Sequence, residues 1–439
     1  MAMRVLILTV GTRGDVHPYL ALALGLKAAG HDAVVCTCDR FREWITDRGL
    51  AFERLDSGLL ELLESDLGRA AFSQLSSPLG ALRVLPKVLR KVGPIQRAMV
   101  ADAWAACQSV TPDLLVYHPK MSSATAFASV LDVPAMLATP IPMLTPTGAF
   151  PMAGMPALTR GPRRLREAYH RGGHRLGLRL TDWGTRAFQK TWRRKHDPKG
   201  LSRGSGPTWT ADGRPVPALH AYSRVVCSQP DDWPKSAAVT GNWFLPEEPT
   251  WQPPEDLTRF LNAGSPPVCL GFGSMAGLDT PALTRLVREA VDQAGVRAVL
   301  LTGWGGLECG ETNHDASDRL FAVDAVPHDW LFPQVSAVVH HGGAGTTAAG
   351  LRAGRPSVVC PFGLDQPFWG RRVHALGCGP PPIRQSRLTA EKLADAIRTA
   401  TTDPEMRRAA ASVGEAMRQE DGVSEAVRRI DAVLAEAAA

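Results

Sequence analysis

Short, mostly apolar runs alternate along this chain with longer segments whose apolar residues recur every three or four positions. Runs bounded by glycine turns read as strands buried on both faces, and the helical repeats between them read as covering helices. In the first half, strands are expected at residues 4–10, 33–37, 113–117, 133–138 and 224–228, with helices at 19–29 and 122–131. Residues 55–105 read as helices with a looser stretch at 73–78. A second series has strands at 267–272, 297–302, 320–323 and 337–339, and one more just before Asp365. Its helices fall near 280–294, 346–354, 366–376, 389–401, 404–418 and 423–437. Strand–helix alternation predicts parallel sheets flanked by helices, here in two halves of similar size. Residues 229–254 hold six prolines and three tryptophans without periodicity and read as a connector. The expected division is a first domain at 1–228, a connector at 229–254, and a second domain at 255–439 that ends in helices.

Composition narrows the class. The chain has 439 residues, 44% hydrophobic and 21% charged, which suits a two- or three-domain globular protein and excludes a fibrous or disordered one. A net charge of +6 favours an anionic ligand but is too small to argue for nucleic acid. The eight cysteines are scattered and none forms a C-x-x-C pair, the usage of reduced thiols in a cytoplasmic protein. The apolar start leads straight into a glycine turn and reads as a first strand rather than a signal peptide. No apolar run approaches the roughly 20 residues of a membrane-spanning helix. Residues 159–203 are different: fourteen Lys and Arg stand against three acids, with Tyr169, Trp183, Phe188 and Trp192 interleaved. A solvated basic face, a peripheral membrane contact and a nucleic-acid patch all fit that pattern, the last least well.

The candidate chemistry gathers at 337–366. A strand ends in His340 and His341, passes through a glycine-rich turn and enters a helix near Thr346. That arrangement aims unpaired amides and the positive end of a helix dipole at one point, which suits a phosphate. Asp365 and Gln366 follow the next strand, where a carboxylate beside an amide can bind vicinal hydroxyls. Together they would hold a nucleotide sugar. The first turn has Gly11 and Gly14 but lacks G-x-G-x-x-G, so a dinucleotide reading loses its main support. The Pro-, Met- and Thr-rich loop at 140–156, with Met143 and Phe150, suits an apolar pocket, and His118 stands beside it just past a strand end. Bland roles exist too: Asp15 as cap of a helix starting at Pro18, His340 as a packed strand-end residue, Phe368 and Trp369 as helix packing.

The motifs GTRGDVHPY at 11–19, GFGSM at 271–275, VPHDWLF at 326–332, HHGGAGTT at 340–347 and DQPFWG at 365–370 are similar to those of family 1 glycosyltransferases of the GT-B fold. The branch resembled contains sterol glucosyltransferases and actinobacterial natural-product glycosyltransferases, and the likeness covers nearly the whole chain. It implies two Rossmann-like βαβ domains facing a cleft, with the C-terminal helices packing back toward the N-terminal domain. The donor segment is matched by residues 325–366. His341, Gly343, Gly345, Thr346 and Ser274 would meet the diphosphate, Asp365 and Gln366 the sugar, and Val326 and His328 the base or ribose. Ala325 replaces the base-stacking Trp of relatives, leaving Trp304 as the candidate stacking partner, and Ala349 replaces a ribose-binding Glu. In the first turn the resemblance implies Asp15 as general base, with His17 as the alternative.

The reaction so implied is inverting transfer from a UDP- or dTDP-sugar to a hydroxyl of a hydrophobic small molecule, sterol-like or of polyketide type. Neither a cofactor nor a metal is expected, and the sequence holds no Asp-x-Asp motif. The alternatives are a nucleotide-sugar 2-epimerase on the same fold and a non-catalytic nucleotide-sugar-binding partner.

Overall fold

A computed structural model describes residues 2–65, 67–68, 78–158, 160–246, 251–273, 280–303 and 319–438. The first half contains β1 (Arg4–Leu8), α1 (Arg13–Ala28), β2 (Asp32–Cys38), α2 (Arg42–Thr46), β3 (Ala51–Leu55), α3 (Gly58–Glu64) and α4 (Pro78–Val110). It continues with β4 (Leu114–Tyr117), α5 (Ala124–Leu131), β5 (Ala135–Thr139), α6 (Arg163–His196), β6 (Ala218–His220) and β7 (Ala237–Val239). The second half contains α7 (Glu255–Asn262), β8 (Val268–Gly271), α8 (Thr280–Ala294), β9 (Ala298–Leu301), β10 (Leu320–Val323), α9 (His328–Leu331) and β11 (Ala337–His340). Then come α10 (Ala344–Arg352), β12 (Ser357–Val359), α11 (Gln366–Ala375), α12 (Ala390–Thr402), α13 (Pro404–Arg418) and α14 (Gly422–Ala438). The strands form two sheets, ordered β3-β2-β1-β4-β5-β6-β7 and β10-β9-β8-β11-β12. Every pair within them is parallel.

Apolar runs make these strands because both faces are covered. In β8, Val268 and Leu270 join the core beneath α8 and α12, while Cys269 joins the core beneath α7. The cysteines at 36, 38, 107, 227, 269, 360 and 378 are buried and unpaired, so they serve as small apolar groups. The last helix, α14, leaves the second domain and lies on α1 of the first. A Cβ on Gly25 would stand 2.3 Å from Val423 Cγ1, so glycine there lets the two helices meet. His31 Nε2 reaches Asp431 Oδ1 at 2.8 Å, and the Arg224 amide donates to Glu420 Oε1 at 2.9 Å.

Several expectations are corrected. Helix α1 starts at Arg13, well before residue 19, and Pro18 lies inside it. Thr12 is the N-cap, and Asp15, at the third helical position, accepts the Thr12 amide at 2.8 Å. Asp15 therefore closes a capping box rather than capping a helix begun at Pro18. Residues 224–228 form a turn, with the Cys227 amide donating to Ser223 O at 3.0 Å. The strand expected there is instead β6, and β7 falls inside the supposed connector and completes the first sheet. Three-residue strands are too short to show a period. The edge strand β3, AFERL, was not expected either, because its polar residues at 53 and 54 interrupt the apolar run. The loose stretch expected at 73–78 lies outside the described residues except for Pro78, which opens α4.

Candidate active site

Strand order reverses between β1 and β4 in the first sheet and between β8 and β11 in the second. Such switch points open a crevice beyond the strand ends. The segments following these four strands carry the candidate residues: Asp15 after β1, His118 and Lys120 after β4, Gly273 after β8, and His341 to Thr346 after β11.

On the N-terminal side, Asp15 Oδ1 accepts from Lys120 Nζ at 3.0 Å and lies 3.4 Å from His118 Nε2. Its side chain is 22% exposed, so it is lodged in the wall yet reachable. Burial alone would raise its pKa, but the Lys120 ammonium and the His118 hydrogen bond win and hold the carboxyl well below the ordinary range. His118 Nδ1 accepts the Lys120 amide at 3.1 Å, which leaves the imidazole proton on Nε2, facing Asp15. Burial pushes His118 below its usual value, in keeping with a neutral ring. Lys120 was not singled out by sequence. The available signal was its place two residues after His118, at the same strand end. His17 packs against Trp44 with ring centroids 6.0 Å apart, and burial, then the Arg13 charge, push it down to about 4.

On the C-terminal side, Gly343 caps α10 without any side-chain cap, so the first amides of the helix point outward unpaired within the helix. Beside them lie two buried polar atoms without a hydrogen-bond partner among the described residues, His341 Nδ1 and Thr347 Oγ1. The His341 ring is pinned by glycines: a Cβ on Gly343 would come within 2.5 Å of Nε2, and one on Gly273 within 3.1 Å of Cε1. Burial and the neighbouring His328 push His341 down to about 4, so it is neutral at neutral pH and can still donate one N–H. Nothing lies within 4 Å of a Cβ built on Gly345, which leaves the mouth of the helix open, with Thr346 half-buried next to it. His340 is fully buried, and its Nδ1 accepts the Gly342 amide at 3.0 Å, a packed role as its strand-end position suggests.

Asp365 precedes α11, after Leu364 in a left-handed conformation (φ +56) that is costly for a branched residue. Burial pushes its carboxyl up to about 6, against the Trp369 hydrogen bond. Trp369 Nε1 donates to Asp365 Oδ2 at 2.8 Å, so this tryptophan orients the carboxylate as well as packing. Gln366 is buried; its Oε1 accepts the Phe362 amide at 2.8 Å and the Gly363 amide at 3.3 Å, which orients its Nε2 as the donor end. Val326 is buried in the core beneath α7, and His328 stacks on Phe332 at 4.4 Å. Ser274 and Trp304 lie outside the described residues.

The two sides act on each other. Asp15 and Lys120 both perturb Asp365 electrostatically, while His328 and Asp329 perturb His17. Asp15 thus faces the Asp365 end of the cleft and His17 the His328 end. Phe150, half-buried in the 140–156 loop, meets Phe368 of α11 edge-on at 5.5 Å and also touches Trp233 and His174. Met143 packs half-buried against the first core.

This arrangement of paired parallel sheets and opposed strand ends is the GT-B fold, shared with solved structures of glycosyltransferases. Within the chain, residues 5–143 match the glycosyltransferase family 28 N-terminal domain, and residues 310–433 the erythromycin biosynthesis protein CIII-like C-terminal domain. The chain is 33% identical to a sterol 3-beta-glucosyltransferase of Arabidopsis thaliana over 97% of its own length and 65% of the relative. It is 34% identical to the sterol 3-beta-glucosyltransferase of Cryptococcus neoformans over 98% of its own length but only 27% of that protein. It therefore spans between about a quarter and two thirds of these relatives. The crystal structure of the glycosyltransferase VinC in complex with dTDP superimposes with a TM-score of 0.61 at 21% identity, covering 99% of this chain and 100% of that one. None of these matches supports the 2-epimerase reading.

Proposed function

We propose that the protein transfers a sugar from a nucleoside-diphosphate sugar, UDP- or dTDP-linked, to a hydroxyl of an apolar acceptor of sterol or polyketide type, with inversion. The observation that carries this reading is the pair of switch points: an ionised carboxylate, Asp15, faces the Asp365 sugar site, while the open N-terminus of α10 and His341 form an anion site beside it. The acceptor hydroxyl attacks the anomeric carbon, and Asp15 takes its proton as the new bond forms. Lys120 and His118 keep Asp15 ionised and aimed, and a base so held takes the proton late, when bond formation has made the hydroxyl acidic. The departing diphosphate gathers negative charge, which the α10 amides and the His341 N–H stabilise without a resident metal. The choice of Asp15 over His17 rests on their neighbours, since Asp15 acts on Asp365 and His17 on His328.

A thermal-shift panel with UDP, dTDP and their sugars tests the donor site. A nucleotide at 100 times its Kd should add about 2.7 kcal/mol to stability. No shift with any of them would remove the transferase reading. UDP-glucose alone should survive incubation with the enzyme and be consumed only once an aglycone is added. Gly343→Ala is a sharper probe, because its new methyl collides with the His341 ring. It should weaken nucleoside-diphosphate binding by about tenfold in titration calorimetry, roughly one charge-assisted hydrogen bond, with little change in melting temperature.

A further inference from the structure

Among the described residues, nine large apolar side chains are exposed, and eight of them lie between residues 158 and 209. Five belong to α6: Leu165 (64% exposed), Tyr169 (37%), Leu176 (56%), Leu180 (61%) and Trp183 (75%). At 100° per residue they fall within an arc of about 60°, so they form a single ridge rather than scattered exposures. Apart from Gly173, the buried residues of the helix, His170, His174, Gln189 and Trp192, lie on the opposite side. From Leu165 to Trp183 the ridge runs about 27 Å along the helix axis. Exposed Arg175 and Arg179 run along its flank, Lys190 and Arg194 extend the basic surface beyond Trp183, and none of the four makes an ion pair among the described residues. Intrahelical pairs neutralise Arg163 and Arg186 instead, with Glu167 and Asp182. Among the described residues, no helix is long and apolar enough to cross a membrane.

We infer that α6 docks the protein on an anionic lipid surface, the apolar ridge entering the headgroup boundary and the flanking cations meeting lipid phosphates. Charge and shape select this occupant. A basic-flanked row of Leu, Trp and Tyr on one face of a helix fits a surface bearing negative charge. A second copy of α6 would bring like charges together, and nucleic acid would leave the leucines without a partner. The inner side of the helix holds the 140–156 loop: His170 Nδ1 lies 2.9 Å from Gly148 O, His174 Nε2 lies 3.1 Å from Phe150 O, and Gly173 and Gly177 leave room for Met155 and Met152. Docking would therefore bring the loop read as the acceptor wall close to the lipid, a consequence that rests on the proposed function although the docking itself does not.

Flotation of the full chain with vesicles provides the test. Phosphatidylcholine vesicles containing roughly a third phosphatidylglycerol should carry the protein at low salt, and pure phosphatidylcholine vesicles should carry far less, because the cations need anionic partners. The triple variant Leu176→Ser, Leu180→Ser, Trp183→Ser should lower partitioning at least about tenfold with the melting temperature unchanged, since all three side chains are exposed. Arg175→Glu with Arg179→Glu should abolish the preference for anionic vesicles. Equal flotation of wild type and triple variant would overturn the inference. So would a wild-type protein that ignores vesicles but forms dimers, or binds a single-stranded oligonucleotide, through the same residues.

Discussion

Replacing Asp15 by Asn should lower turnover by about 10²–10⁴-fold and leave nucleoside-diphosphate affinity nearly unchanged. Asn can still accept the Thr12 amide, so the start of α1 is preserved. What is lost is the negative charge that faces Lys120 and can take the acceptor proton. The donor groups on the other domain are untouched, so loss of turnover with donor binding retained separates a base from a structural carboxylate. The variant should also lose stability at neutral pH. The Asp15 pKa is lower in the folded state, so its contribution is present above the unfolded value of about 3.9 and fades as pH falls through the folded one. Wild type and variant should therefore converge in melting temperature at low pH. Near-wild-type turnover in Asp15→Asn together with its collapse in His17→Ala would move the base to His17.

Asp365→Asn should move activity and stability in opposite directions. The folded protein raises this carboxyl to about 6, so the native state binds its proton more tightly than the unfolded chain does. Stability is then fully favoured below about 4 and declines as pH rises through about 6, because ionising a partly desolvated carboxylate disfavours the fold. The amide removes that cost while still accepting from Trp369. With allowance for solvent access, we expect about 1 kcal/mol of added stability at pH 7.5, seen calorimetrically as a rise of about 1–2 °C, and no gain near pH 4. The same change should lower kcat/KM for the nucleotide sugar by about 10–100-fold, the loss of one charged hydrogen-bond set to sugar hydroxyls. Wild-type kcat/KM should fall as pH drops below about 6, the value to which Asp365 is raised, and that limb should vanish in the variant. A loss of both stability and activity at neutral pH would make Asp365 a structural residue.

Much of this molecule was legible in its sequence because buried parallel strands need long apolar runs. The strands at 4–8, 268–271, 320–323 and 337–340, and helices such as α8 and α13, lie where periodicity placed them. The phosphate-suited turn at 340–347 was legible for a related reason: a strand, glycines and a helix in succession fix backbone direction locally. The three-residue strands β6 and β7 were not legible, since they are held by neighbours in the sheet and carry too few residues to show a pattern. The early start of α1 was missed because Pro18 argued for a helix beginning there, whereas the Thr12–Asp15 box fixed it earlier.

By itself, then, the sequence determined two parallel α/β halves, the anion-suited helix N-terminus, the Asp365–Gln366 pair and a strongly basic helical region, all properties of residues near one another in the chain. Only the tertiary structure decided that Lys120 and His118 ionise and aim Asp15 across a sequence separation of about a hundred residues, and that Trp369 steers Asp365. Only it gathered the exposed residues of α6 into one ridge, because which face of a helix is covered depends on what packs against it. Electrostatic perturbation and burial arise from distances between segments remote in sequence, and those distances exist only once the two sheets face each other.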